Sequence, residues 1–329
     1  MKLLITIDTE RDYGWDSRRA ITTANARHLP RFQALCDKFD FKSTYLITYV
    51  MAGDEFCVEF AREALARGVA EVGAHLHAWN NPPDYSLTSN DNLYQPYLIE
   101  YPEKVMRDKL RCLTDFLQET FGVKMHTHRA GRWGFNELYA RLLVELGYQV
   151  DCSIPPNTFW PGTHREPGEP VCPEFDFTDF PLEAYFLNEA DISRPGDMPL
   201  LEIPMTTVPY YPKFLRNWYN RVVAGYVGKG MRFFLGRPVR WFRPHRFYKE
   251  MQAVARAKVK KSGNYLMFMT HSSELMSGGS PYFRTEAEID KMYADMEEVF
   301  ELLAQNGVTG ATCYEYYQEY IGSPKHERK

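Results

Sequence analysis

The ten residues Glu71–Asn80, EVGAHLHAWN, begin as a buried strand and finish in two imidazoles and an indole. In an extended strand, residues i and i+2 point to the same face. His75 and His77 would then project side by side, their Cα atoms about 6.6 Å apart at roughly 3.3 Å per residue. Two imidazoles at that separation can share one metal ion. They can equally hydrogen-bond as strand-end polar groups, and this stretch alone leaves both readings open.

On both sides of this stretch, helices and strands alternate. Before this strand, Asp54 is placed to cap a helix running to about Arg67, with Gly68 ending it. After it comes a long polar loop, NNPPDYSLTSNDNLYQP, then a strong helix over about 102–121 with Gly122 just beyond. KLLITID at the start is a short apolar, β-branched run and reads as a buried strand. Leu29, Phe32, Leu35 and Phe39 form one helical stripe over 25–39, and KSTYLITYV at 42–50 is a second strand. Further strands are expected at 125–130, 148–153, 200–206, 264–271 and 308–313. Helices are expected at 136–146, 213–227, 245–259 and 284–305, with a short one up to Tyr320. Such alternation implies a parallel sheet, either a barrel or a doubly wound fold. No linker cleanly divides the chain. The expectation is one domain over 1–321, with 155–243 an elaborated insertion and 322–329 a disordered tail.

The chain has 329 residues, 44% hydrophobic and 25% charged, which is ordinary for a globular protein with a sizeable core. A net charge of −4 argues against nucleic acid as the main partner. Cys36, Cys57, Cys112, Cys152, Cys172 and Cys313 are irregularly spaced and do not read as a disulfide framework. The N-terminal apolar run stops at Asp8, too early for a signal peptide, and no apolar stretch reaches the roughly 18 residues of a membrane span. The expectation is a reduced, cytoplasmic protein. Its oligomeric state is not legible.

In parallel α/β folds the chemistry lies at the C-terminal ends of strands. Here the first strand ends in Asp8-Thr9-Glu10, the third in His75-Leu76-His77, the fourth in His126-Thr127-His128-Arg129, and the late one in His271-Ser272-Ser273-Glu274. Each is weak alone, but the fold brings all four together. Two imidazoles and a carboxylate make a common catalytic-zinc set, with the carboxylate supplied by Asp8 or Glu10 and the other acid free to act as general base. His271 could be the general acid, and Arg129 could hold the base carboxylate ionised. The second HxH, His126 and His128, reads as strand-end polar residues, and His245 as structural. Trp79, Trp133 and Trp160 could stack on sugar rings or only pack. Arg132 and the first two tryptophans are the candidate substrate contacts.

Assembled in this order, the motifs resemble the polysaccharide deacetylases of the NodB-homology type, carbohydrate esterase family four. The resemblance rests on TIDTE, EVGAHLH, HRAGRWG, LEIP and HSSEL, and is nearest to the WalW-like branch linked to lipopolysaccharide biosynthesis. It spans roughly 1–321 and is thin over 155–199 and 211–261. It implies a distorted (β/α) barrel, often of seven strands, and one divalent metal, usually zinc. In the family an Asp activates the metal's water and a late His protonates the departing amine of an N-acetyl sugar. Carried over, Asp8 matches the base, His75 the first metal histidine, Arg129 the arginine orienting the base, and His271 the acid. The chain departs from the pattern at three places. Thr9 follows Asp8 where a second Asp is usual, Trp79 stands where the second histidine is usual, and Gly131 replaces a proline. Glu10 and His77 are then the expected metal ligands, with Asp8 the alternative carboxylate.

The implied partner is an N-acetylated sugar or glycan precursor. Two alternatives stand beside it: hydrolysis of a non-sugar amide on the same barrel, and a degenerate barrel that only binds glycan. The chain has no GxSxG, and GYVGKG has the wrong spacing for a nucleotide loop.

Overall fold

The computed structural model describes residues 1–14, 19–160, 172–212, 215, 239–244, 248–261 and 263–323. In chain order the strands are β1 (Lys2–Thr9), β2 (Ser43–Ile47), β3 (Ala70–Leu76), β4 (Thr127–Ala130), β5 (Val150–Asp151), β6 (Phe159–Trp160) and β7 (Phe175–Asp176). They continue with β8 (Tyr185–Phe186), β9 (Leu201–Glu202), β10 (Thr207–Pro209), β11 (Val239–Trp241), β12 (Tyr265–His271) and β13 (Thr309–Gly310). The longer helices are α1 (Leu29–Asp37), α2 (Glu55–Ala66), α3 (Glu103–Phe121), α4 (Glu137–Glu145), α5 (Tyr248–Lys261), α6 (Glu286–Gln305) and α7 (Cys313–Ile321).

The main sheet runs β12-β1-β2-β3-β4-β5-β9-β8, with β13 also pairing β1. From β12 to β9 every pairing is parallel, and β8 is added antiparallel at the edge. The sheet curls into a half-barrel flanked by helices, a distorted (β/α) barrel with a run of seven parallel strands from β12 to β9 and β13 as an eighth on β1. β6 with β7, and β10 with β11, form two small separate pairs. No helix among the described residues is long and apolar enough to cross a membrane.

β1 is the spine. All of it except Lys2 is buried, because it has neighbours on both edges and helices or barrel interior on both faces. Phe268 of β12, Phe300 of α6 and Phe41 meet edge to face, with centroids 5.5 and 5.6 Å apart. Helix starts follow the sequence: Asp54 accepts from the Cys57 amide, Asn136 from Tyr139, and Thr285 with Glu288 forms a capping box on α6. The opposite end of the sheet from the site is closed by α7, whose Tyr314 amide donates to Glu71 of β3.

Register does the positioning. Asp8 pairs with His271 on β12, and His75 with Arg129 on β4. Through β2, Asp8 stands level with Gly73 of β3, so His75 lies two residues further along, and the strand-end motifs gather at one end of the sheet. The stretch expected as an insertion, 155–243, contributes β8 and β9 to the main sheet. The strand expected over 200–206 is only two residues long there, since Pro204 offers no amide to a ladder. The helix expected over 213–227, apart from residue 215, and residue His245 lie outside the described residues, as does the tail beyond 323.

Removing the ring where three phenylalanines meet should cost about 3–5 kcal/mol. Phe300→Ala is expected to lower stability by that amount in denaturant titration, with the slope against denaturant unchanged.

Candidate active site

Arg129 reaches from β4 across the inside of the sheet to β1. Its Nη1 donates to Asp8 Oδ1 at 2.6 Å, Nη2 to Thr6 Oγ1 at 3.0 Å and Nε to the Cys152 carbonyl at 2.9 Å. The guanidinium is fully buried, so each donor must be met from within the protein. The Trp133 ring centroid lies 5.1 Å from its Cζ. Burial by itself would raise the Asp8 pKa, but Arg129 and the imidazoles of His75 and His271 outweigh it and hold the carboxyl down at about 2.

The other Asp8 oxygen, Oδ2, lies 3.9 Å from both His75 Nε2 and His271 Nε2. His75 Nδ1 is 2.9 Å from the Arg129 carbonyl. A carbonyl only accepts, so Nδ1 carries the proton and the neutral ring turns its Nε2 lone pair inward. Burial pushes the His75 pKa down to about 4, which keeps that lone pair free near neutral pH. His77 Nε2 is 2.8 Å from Glu10 Oε2, and the two imidazoles meet edge to face at 4.7 Å. Glu10, His75 and His77 each offer one donor atom, all within 4.8 Å of one another. One carboxylate and two imidazoles, buried and converging, fit a divalent transition metal.

Glu10 is drawn into this cluster by its backbone. Its amide donates to Ser272 Oγ at 3.0 Å, and its carbonyl accepts from Ser272 Oγ and from Asn25 Nδ2. The end of β1 is thus tied to the turn after β12. Burial opposes ionisation of Glu10, but the hydrogen bond to His77 and the nearby imidazoles leave its pKa lowered.

His271 has a buried partner of its own. Its Nδ1 is 3.2 Å from Glu274 Oε2, and the same oxygen accepts from its backbone amide at 3.0 Å. Glu274 Oε1 in turn accepts from Arg243 Nη2 at 2.5 Å. Burial opposes charging of either group. Arg243 nevertheless holds Glu274 at about 2, and Glu274 raises the His271 pKa. The His271 side chain is 16% exposed against 3% for Asp8 and His75 and 8–9% for His77 and Glu10, so it is the most exposed of the five.

The structure thus gathers Asp8, Glu10, His75, His77, Arg129 and His271 in one place. Arg132 and Trp133 follow directly, both at positive φ (54° and 63°), a conformation that costs free energy in non-glycine residues. Arg132 lies over the Trp79 ring and donates to Asn92 Oδ1. Trp79 packs on His77 with centroids 4.4 Å apart. Trp160 packs further off, against Phe177 and Trp241. His128 points away, to Asp151 and Tyr139, and His126 stacks on Tyr314 of α7. Glu274 and Arg243 were not assigned roles from sequence. Glu274 stands three residues after His271, a capping-box spacing that could have flagged it, whereas nothing around Arg243 distinguishes it from other basic residues in that region.

Two outcomes are expected. Arg129→Met leaves the Asp8 charge buried without a cation, so stability should fall by about 3–5 kcal/mol in chemical unfolding. Glu274→Gln removes the charge that raises the His271 pKa. A step needing protonated His271 is lost as pH rises through that pKa, so the alkaline limb of any pH–rate profile should move to lower pH in the variant.

No family model and no curated protein matches this chain in sequence. Solved structures do resemble it. A putative polysaccharide deacetylase from Mycobacterium smegmatis is similar with a TM-score of 0.54 at 16% identity, covering 97% of this chain and 89% of that one. Puue allantoinase gives 0.54 at 15% identity, over 98% and 91% of the two chains. A GH57 branching enzyme from Thermococcus kodakaraensis gives 0.51 at 12% identity, over 98% and 72%. At these identities the likeness is one of fold: this chain has the deacetylase-like half-barrel.

Proposed function

We propose that this chain is a metal-dependent amide hydrolase that removes the acetyl group from an N-acetylated sugar of a surface glycan or its precursor. The observation that supports this best is the convergence of Asp8, Glu10, His75, His77 and His271 at the ends of β1, β3 and β12.

Glu10, His75 and His77 would hold the metal, for which zinc suits the donor set. Bound there, the ion would polarise the amide carbonyl and bring the pKa of the attacking water near 7. Asp8 is the base. Arg129 keeps it ionised, and its Oδ2 faces the cluster. It takes the water's proton as oxygen attacks the carbonyl carbon. His271, charged with the help of Glu274, gives its proton to the nitrogen as the C–N bond breaks, so acetate and a free amine leave. On this reading Arg132, Trp79 and Trp133 would be the sugar contacts.

The equal fold likeness to Puue allantoinase favours one second reading, hydrolysis of a cyclic or ureide amide by the same groups. Mass spectrometry of the purified protein, followed by assays on N-acetyl sugars and ureides, separates the two. Near-stoichiometric transition metal, lost in His75→Ala/His77→Ala, with acetate released from an N-acetyl sugar, is the expected result. Turnover of ureides alone would select the second reading, and a parent that binds glycan but takes up no metal would overturn both. Asp8→Asn should reduce turnover by at least about 100-fold while metal content stays near the parent's.

A further inference from the structure

His75 and His77 are held in different ways. His75 is fixed by its hydrogen bond to the Arg129 carbonyl. His77 Nδ1 is buried and has no hydrogen-bond partner among the described residues. Metal-binding histidines usually donate the second ring nitrogen to an acceptor that fixes the ring. Something else must hold this one.

Three neighbours press on the ring. His75 meets it edge on at 4.7 Å, the Trp79 indole leans on it at 4.4 Å, and Glu10 touches Nε2 at 2.8 Å. The remaining side is Gly131, just past the Leu76–Ala130 pair of the β3–β4 ladder. A Cβ built there would lie 2.9 Å from His77 Nδ1 and closer still to the Leu76 carbonyl oxygen. The second atom is backbone of a central strand and cannot give way.

Glycine is not needed at 131 for its dihedrals. Gly131 is not among the positive-φ glycines, whereas the next two residues, Arg132 and Trp133, have positive φ and are not glycine. The chain thus places glycine where the backbone does not require it and side chains where glycine would be the easier choice. Space remains as the reason, and the atoms needing that space are the His77 ring and the carbonyl just before it.

We infer that His77 is positioned by shape, with Gly131 and Trp79 as its positioning residues: the missing Cβ admits the ring and the indole closes it in. This rests on the proposed function, which makes His77 a metal ligand. It changes the expected place of Trp79, which serves the metal centre from behind the ligand.

The test is the affinity of the full-length protein for Zn2+ by competition with a chromogenic chelator, and the visible spectrum of the Co2+ form, with melting temperature as the monitor of folding. Gly131→Ala is expected to weaken affinity roughly 10- to 100-fold and alter the Co2+ bands, and to cost less in a His77→Ala background, where only the contact with the Leu76 carbonyl remains. Trp79→Ala introduces no clash, so it tests the same idea where Gly131→Ala fails to fold. It should also weaken binding and change the Co2+ spectrum. Parent-like affinity and spectrum in Trp79→Ala, or an equal loss from Gly131→Ala with and without His77, would overturn the inference and leave the proposed function standing. A parent that binds neither ion would overturn the proposed function, and this inference with it.

Discussion

Arg129 has no exposed surface, yet it carries a full charge across the inside of the sheet to Asp8. Burying such a pair gains little net stability against an apolar alternative, but losing either partner strands a charge in the interior. The pair therefore constrains what surrounds it. β4 must stay in register with β3 so that the guanidinium reaches β1, and Thr6 and the Cys152 carbonyl must supply its other acceptors. In return Asp8 stays charged at the bottom of a site where an isolated carboxyl would be neutral.

The remaining groups are arranged around that fixed charge. Oδ2 of Asp8 lies equally far from His271, which the register pairs with it on β12, and from His75, two residues further along β3. Each imidazole then has its own support. The Arg129 carbonyl sets the tautomer of His75, so one residue orients both the base and a ligand. His271 has Glu274, and Glu274 has Arg243 from just after β11, far away in sequence. This second chain of charges ties the stretch between β9 and α5 to the most exposed member of the site.

His77 and Glu10 form the less regular half. Both come from i+2 positions at strand ends, and both are placed by what surrounds them: Ser272 and Asn25 on the Glu10 backbone, Trp79 and the open backbone of Gly131 on the His77 ring. Positive φ at Arg132 and Trp133 puts local strain beside this half. The cluster thus combines a hydrogen-bonded side and a side shaped by close packing.

The sheet and the gathering of its polar ends were legible in the residue pattern. Apolar, β-branched runs such as KLLITID and NYLMFMTH, alternating with capped amphipathic helices, can only bury themselves as parallel strands, and parallel strands put their C-terminal residues together. Asp8, His75, His77, Arg129 and His271 were legible for that reason, since each stands at the end of such a run. Period-2 geometry likewise grouped His75 with His77. Tertiary structure alone decided which carboxylate lies with which imidazole, because that turns on a side-chain length and a backbone tether 262 residues away in sequence. It also decided that β8 joins the main sheet beside β9, since a two-residue strand carries too little pattern to be read. Glu274, Arg243 and Gly131 act through burial and close approach, and neither property has a local signature in a chain read one residue after another.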